Sequence, residues 1–509
     1  MRALLSTYDK KGLEAFAQGL VELGWELVSS GGTAAFLAEQ GLPVTTVEEV
    51  TDAPEMLGGR VKTLHPRIHA GILARRELTE DMETLAEHEI EPFDLVCVNL
   101  YPFTSVAARI DAQEDEVVEM IDVGGPSMLR AAAKNFAHVV VLCKPEQYEP
   151  VLDELHSHGA VSLPLRRSLA NEAFATTASY DAAIANWFGE TEAFPDQMTL
   201  SFQKVADLSY GENPHQRAAY YRELGARRHL LSSVDQLGGK ELSYNNLADL
   251  EAARRTVRHF GEPAAVIVKH ANPCGVALGE TIGEAYERAL AADPISAFGC
   301  VLVLNRPVDG ALGERIAEHF VEVVLAPEFD NDALAALRTK TALRILEDRE
   351  RRSETPGELD YRRVLGGLLV QERDGQRDLD DLSVVAGAPS DEQLSDLLFA
   401  WDVCRHVSSN AIVIAKAKQT IGIGAGQMSR VDAVRIAVEK ARELGHDLAG
   451  SVLASDAFFP FADGPGLALA AGVTAIIQPG GSKRDDEVIA AVSAAGAAML
   501  FTGRRHFRH

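Results

Sequence analysis

At 509 residues the chain is too long for one hydrophobic core and predicts about three folding units. Forty-nine Lys and Arg against 75 Asp and Glu leave a formal net charge of −26, which excludes non-specific binding to nucleic-acid phosphates. Five scattered cysteines without C-x-x-C spacing, an N-terminus too poor in apolar residues for a signal peptide and no apolar run long enough for a membrane span predict a soluble, cytoplasmic protein with reduced thiols.

From the N-terminus, RALLS (2–6) and ELVSS (26–30) read as strands around a stretch with Leu13, Phe16, Ala17 and Leu20 on one helical face. LVCVNL (95–100) and HVVVLC (138–143) are unbroken apolar runs, as in strands buried on both faces, so residues 1–145 predict a doubly wound parallel sheet covered by helices. A mostly helical bridge is expected over 146–188. The aperiodic segment 189–202, with Pro195, reads as a domain boundary. The second part states one grammar twice. AAVIVKH (264–270), EAYERALAA and CVLVLN (300–305) are followed by NAIVIAK (410–416), TIGIG (420–424), DAVRIAVEKA and SVLAS (451–455), which predicts two related α/β lobes. The charged tract 333–355, containing RILEDRERRSE, reads as a helix with a solvated face.

Ligands of open α/β sheets bind beyond the carboxyl ends of the strands, and unusual polar clusters stand there. Ser29-Ser30-Gly31-Gly32-Thr33 ends a strand and opens a helix, so its amides and hydroxyls can cradle an anion or merely form a cap. Gly58 to Pro66 packs Arg60, Lys62, Thr63 and His65 behind a glycine pair, a local basic pocket in an acidic protein. Asp122 before a helix and Lys134 near its end suit proton transfer and charge stabilisation, although the helix dipole alone favours both. Lys269-His270 ends an apolar strand and sets a titratable base beside a cation, with Pro273 and Gly275 expected to form the turn. YGENPHQ (210–216) and LSYNN (242–246) read as ligand-reading loops, and DPISAFG (293–299) and SDAFFPF (455–461) combine an acid with aromatic rings. Neither a Walker loop, an H-E-x-x-H motif, a G-x-S-x-G elbow nor the zinc-deaminase signature occurs, so no metal is expected.

Eight strings in order, GGRVKTLHP, DVGGPSMLRAAAKN, YGENPHQ, KHANPCG, DPISAFG, GIGAGQMSR, SDAFFPF and FTG with RHFRH, resemble the family of bifunctional purine-biosynthesis enzymes that join AICAR formyltransferase to IMP cyclohydrolase. The resemblance implies a methylglyoxal-synthase-like cyclohydrolase domain over 1–145, a bridge and linker over 146–202 and a transformylase over 203–509. The last would consist of two cytidine-deaminase-like lobes without zinc, about 203–358 and 359–509. It also implies 10-formyltetrahydrofolate as co-substrate, a homodimer, and no nucleic-acid or membrane partner. By the same resemblance the cyclohydrolase site would comprise Ser6, Lys10, Ser30, Gly31, Gly32, Thr33, Arg60, Thr63 and Asn99, with Lys62, Tyr101, Asp122 and Lys134 catalytic. Lys269 and His270 would catalyse formyl transfer, and Tyr210, Asn246, Phe298, Asn410, Arg430, Asp456 and Phe459 would lie near nucleotide or folate. Ser209 stands where the family carries an arginine, so that either Arg217 or Arg222 substitutes or nucleotide affinity is lower, and Cys300 stands where it carries a second glycine. Two other readings remain open here: a non-catalytic nucleotide-binding protein, motivated by Ser209, and an enzyme of the methylglyoxal-synthase or deaminase type.

Overall fold

The apolar runs of the first part are strands: β1 (Arg2–Thr7), β2 (Glu26–Ser29), β3 (Thr45–Thr46), β4 (Leu95–Asn99) and β5 (Val140–Leu142). They form one sheet in the order β3-β2-β1-β4-β5, with every pairing parallel. This computed structural model describes residues 1–109, 111–189, 193–224, 229–350, 358–375, 379 and 381–509. The chain divides into two units, one over Met1–Gln203 with a short later segment beginning at Arg222, the other over the rest.

In the first unit Leu4, Leu5, Leu27, Val28, Leu95 and Val96 are sealed from solvent, as a parallel sheet with helices on both faces requires. The helices are α1 (Leu13–Glu22), α2 (Gly31–Glu39), α3 (Val47–Thr51), α4 (Pro66–Leu73), α5 (Thr79–Glu87), α6 (Phe103–Ala107), α7 (Glu114–Glu119), α8 (Gly124–Lys134), α9 (Tyr148–His158) and α10 (Leu163–Phe188). The stretch expected as a bridge is helical, but α10 packs on α8 and β5 and adds Leu169, Ala170 and Ala173 to the first core. Residues 190–192 of the expected boundary lie outside the described residues. Strand order reverses between β1 and β4, and beyond the carboxyl ends of such strands an open sheet offers a crevice.

A two-stranded ribbon of β6 (Phe202–Leu208) and β7 (Ala218–Glu223) precedes the first lobe of the second unit. That lobe contains β8 (Val234–Gly238), α11 (Tyr244–Val257), β9 (Ala264–Lys269), β10 (Asn272–Leu278), α12 (Ile282–Ala292), β11 (Cys300–Leu304), α13 (Gly310–Glu318), β12 (Val321–Ala326), α14 (Asn331–Arg338) and β13 (Arg344–Asp348). After the hairpin of β14 (Leu359–Val364) and β15 (Gly367–Glu372) come β16 (Ser383–Ala386), α15 (Asp391–Cys404), β17 (Ile412–Lys416), β18 (Gln419–Gly424), α16 (Arg430–Glu443), β19 (Val452–Ser455), α17 (Asp463–Ala471), β20 (Ala475–Gln478), α18 (Asp485–Ala494) and β21 (Ala498–Phe501).

The two lobes share one sheet of twelve strands, β16-β21-β20-β19-β17-β18-β10-β9-β11-β12-β13-β8. Read outward from the β10–β18 joint, each lobe repeats the same strand order. A constant offset of 147 residues relates Ser243 to Ser390, Lys269 to Lys416, Gly275 to Gly422 and His259 to His406, whose Nε2 atoms face each other at 2.8 Å. A β-carbon at Gly275 would stand 2.1 Å from the Ala289 carbonyl oxygen, and one at Gly422 would stand 2.3 Å from that of Ala437. In each lobe, therefore, only glycine lets the following helix lie directly on the strand.

The charged tract corrects an expectation. RILED forms β13, buried at all five positions. Arg344 donates to the Glu241 carbonyl at 2.9 and 3.0 Å, and Asp348 pairs with Arg254, so the charges enter the interior with partners. Residues 351–355 of that tract lie outside the described residues. Among the described residues no helix is long and apolar enough to cross a membrane.

Candidate functional site

In the first unit, β1, β2 and β4 deliver polar residues to one end of the sheet. Ser30 leads into α2 from an extended backbone, and Gly31 enters it with φ +50°. The Gly31 and Gly32 amides that open α2 have no intrahelical acceptors and carry partial positive charge, whereas the Thr33 and Ala34 amides donate to the Ser30 carbonyl at 3.1 and 3.3 Å. Thr33 Oγ1 accepts from the Thr7 amide at 3.1 Å and donates to its carbonyl at 2.9 Å, which ties this turn to the end of β1. Lys62 reaches the same turn: a β-carbon at Gly31 would lie 2.5 Å from its Nζ, and one at Gly59 would lie 3.1 Å from it. Glu55, 3.9 Å away, is the carboxylate paired with this ammonium.

The start of α8 adds a half-buried carboxyl group. Asp122 Oδ1 accepts from the Gly125 amide at 2.8 Å. A β-carbon at Gly125 would meet Asp122 Oδ2 at 2.4 Å, and one at Gly124 would meet Thr63 Oγ1 at 2.5 Å. Burial raises the Asp122 carboxyl above its ordinary titration, opposed by hydrogen bonds from the Gly125 and Tyr101 amides. The Tyr101 phenol is also raised, first by burial, then by the charges of Asp122 and Tyr8. Asn99 Oδ1 accepts from the Tyr8 and Asp9 amides at 2.5 and 3.0 Å while its Nδ2 donates to the Asp9 carbonyl at 2.7 Å. Its amide thus shapes the loop after β1. Ser6 lies on β1, and Lys10 Nζ approaches the Tyr8 carbonyl at 3.4 Å.

In the second unit β9 and β10 are joined by His270 and Ala271 alone, with φ +52° and +57°. Both are in the left-handed region, which costs a non-glycine residue roughly 1–3 kcal/mol. The turn lies before the proline and glycine expected to make it: Pro273 and Gly275 sit within β10, across a bulge. Lys269 Nζ donates to the Phe298 carbonyl, and a β-carbon at Gly299 would lie 3.3 Å from that Nζ and 3.1 Å from the Phe320 ring. His270 is exposed, and its ring has no hydrogen-bond partner among the described residues. The Lys269-His270 pair lines a cavity of about 200 Å³ with Asn272, Asp293, Ser296 and Lys440. Phe320, which touches Gly299, lines a second cavity of about 550 Å³ with Ser209, Tyr210, Lys240, Glu322 and Arg344. A base and a cation thus stand at the first cavity, one phenylalanine away from the second.

Residues 132–440 match the family model described as AICARFT/IMPCHase bienzyme, and residues 12–127 match that of an MGS-like domain. The chain belongs to the AICARFT/IMPCHase bienzyme family. A solved structure titled "Crystal structure of ForH" is 40% identical to it, covering 37% of this chain and 99% of that chain, with a TM-score of 0.34. As a member of the bienzyme family the protein transfers the formyl group of formyltetrahydrofolate to AICAR and cyclises the product to IMP. The fold is the one expected, an MGS-like α/β domain followed by the bienzyme's C-terminal α/β region.

Against that activity, the residues expected in its sites fall into two groups. Lys62, Thr63, Asp122, Tyr101 and the Ser30–Thr33 turn come together, as do Lys269, His270 and Phe298 around Gly299. Lys134 does not join the first cluster. It ends α8, and eleven helical residues put it about 15 Å from the Asp122 end. Exposed Arg60 pairs with Glu119.

In the second unit several expected ligand residues are occupied by the fold itself. Asn246 is 3% exposed, closes the cap of α11 with Ser243 and donates to Glu322 Oε2 at 2.9 Å. Arg430 donates to Ser455 Oγ at 2.8 Å, to Asp456 and to Asn410 Oδ1 at 2.7 Å. Asp456 is fully buried and also accepts from the Ala411 amide at 3.2 Å. Phe459, 1% exposed, belongs to the core, and its neighbours Phe458 and Phe461 are the rings that reach the surface. Cys300 is likewise buried in the sheet. The cations beside Ser209 are Lys240 and Arg344, and Arg222 is engaged with Gln203. Arg344 was hidden by the reading of its tract as solvated. Lys440 and Asp293, paired through Nζ and Oδ2, had a legible signal in the 147-residue offset that relates them.

Proposed function

We propose that the first unit carries the cyclisation and the second the formyl transfer, in a cytoplasmic homodimer with transformylase sites shared between subunits. The observation that carries the transfer assignment is the Lys269-His270 turn, with its unpartnered imidazole at a polar cavity. The amine of AICAR is a poor nucleophile because its lone pair is delocalised into the ring and carboxamide. His270 takes a proton from it as it attacks the formyl carbon, and returns a proton to the departing N10 of tetrahydrofolate. Lys269, fixed by the Phe298 carbonyl, faces the developing oxyanion.

In the cyclisation the carboxamide nitrogen attacks the new formyl carbon and water leaves. Lys62 stabilises the oxyanion, while Asp122 and Tyr101 move the protons, each worth about 10²–10⁴-fold. The nucleotide phosphate takes the α2 amides beside Ser30–Thr33. In the transfer site Tyr210 and Phe298 border the nucleotide, with Lys240 and Arg344 supplying the positive charge near Ser209. Arg430, Asp456, Asn410 and Asn246 act by holding the loops around it.

The test follows tetrahydrofolate and IMP from AICAR and 10-formyltetrahydrofolate in the wild type, His270→Ala and Lys62→Ala. Formyl transfer absent in the first variant, and formylated intermediate accumulating in the second, is the expected pair of results. Both products formed at wild-type rate by His270→Ala would refute the transfer assignment. Sedimentation at several concentrations decides the dimer.

A further inference from the structure

We infer that Asp249, on α11, is the residue that positions His270 for formyl transfer. The inference rests on His270 being the base. A two-residue hairpin with both φ values positive normally takes Asn-Gly, Asp-Gly or Gly-Gly. His270-Ala271 has neither glycine nor a side chain of its own that stabilises the turn, so something outside the hairpin must hold it. Asp249 Oδ1 accepts from the Ala271 amide at 2.6 Å, and the His270 amide also bonds to this carboxylate. The carboxylate is carried on a helix fixed by the reciprocal Ser243–Asn246 cap.

The second lobe repeats the device without the chemistry. Its turn is Ala417-Lys418, with φ +50° and +55°, and Asp396 of α15 accepts from both amides at 2.7 Å. Asp249 and Asp396 are related by the same 147-residue offset as the turns they hold. One molecule therefore contains two copies of the same staple, only one of which carries an imidazole. Because no described residue bonds the His270 ring, the direction of that ring follows from the backbone beneath it; Asn272 Nδ2 and Arg508 Nη1 donate to the His270 and Ala271 carbonyls at 3.0 and 2.9 Å, and Asp249 is the group that holds the amides of the turn. Asp249 bonds to the turn rather than to the reacting atoms, so its role is positioning.

The duplication supplies the control. Full-length wild type, Asp249→Asn, Asp396→Asn and His270→Ala are compared for formyl-transfer kcat, KM for AICAR and thermal melting. Asp249→Asn is expected to lower kcat about 10–100-fold with KM within about twofold, because a base misplaced by ~1 Å loses rate rather than binding. Asp396→Asn is expected to melt earlier by a similar amount while keeping kcat within about twofold. Adding Ala271→Gly to Asp249→Asn recovers part of kcat, since glycine suits the second turn position without help. Should Asp249→Asn fail to fold, Asp249→Glu keeps the charge and is read in the same way. Equal effects of the two staple variants on kcat, or no rescue by Ala271→Gly, would overturn the positioning role. Full activity in His270→Ala would instead overturn the assignment of the base, a distinguishable result.

Discussion

Replacing Gly31 by alanine tests the cyclisation site through one added methyl group. Its β-carbon would stand 2.5 Å from Lys62 Nζ, whereas ordinary contact begins at 3.4 Å, so the ammonium must retreat by about 1 Å. The atom displaced is the end of a flexible side chain, so the clash itself costs the fold little. What costs stability is φ +50°, a conformation about 1–2 kcal/mol less favourable for alanine. In a unit of this size that is roughly 2–8 °C of melting temperature. The functional loss is far larger: moving an oxyanion stabiliser by ~1 Å is worth about 10²-fold in rate. The assay follows IMP from formylated AICAR in the variant, with formyl transfer by the same preparation as internal standard. Cyclisation down about 10²-fold with transfer unchanged is the expected result. Cyclisation at the wild-type rate would show that Lys62 does not act from where its ammonium lies, and an equal fall in both activities would mean a general loss of structure.

Further outcomes follow from Asp122, Arg430 and Lys134. Cyclisation should fall with acid as Asp122 takes up its proton, and that limb should lie above the ordinary carboxylate range because burial raises the group. A raised carboxyl costs the folded state stability as pH rises through its titration, so Asp122→Asn should melt later at pH 7 while losing cyclisation; a lower melting point would refute the sign. Arg430→Met leaves the fully buried Asp456 without its cation and should cost about 3–5 kcal/mol of the second unit's stability, read by denaturant unfolding. Unchanged stability with a raised KM for AICAR would instead make Arg430 a direct ligand. Lys134→Ala should keep cyclisation within about threefold, since ~15 Å of α8 separates it from the cluster. A loss matching that of Lys62→Ala would mean that a second copy supplies this lysine.

The strands of both units were legible because unbroken apolar runs have one common use, a sheet covered on both faces. The placing of Lys62, Asp122 and the Lys269-His270 pair in polar clusters was legible because glycines and polar groups crowd those stretches of the sequence. Arg430, Asp456 and Phe459 were legible as unusual residues but not as ligands or scaffold: a motif lists side chains without saying which atoms the fold has already taken. RILED misled because charge usually marks solvent, and only Arg254 and the Glu241 carbonyl, far away in sequence, explain why it does not. The distance of Lys134 from Asp122 was illegible for a simpler reason. Twelve positions in a sequence string look close, and in a helix they lie at opposite ends.

The joint between the lobes has a bearing on how this protein can be dissected. β10 and β18 meet at Ala277 and Gln419, reinforced by the Thr420 hydroxyl, which receives the Val276 amide at 3.0 Å, and by the Leu278 amide on the Lys418 carbonyl at 3.0 Å. Each lobe taken alone would present that inner strand as an open edge, a row of unsatisfied amides and carbonyls that invites another strand. Since both lobes have the same strand order, two copies of one lobe can close that edge on each other much as the natural pair does. The junction is in effect a dimer contact made permanent by the chain, and an isolated lobe would expose an inner edge that the intact chain keeps paired.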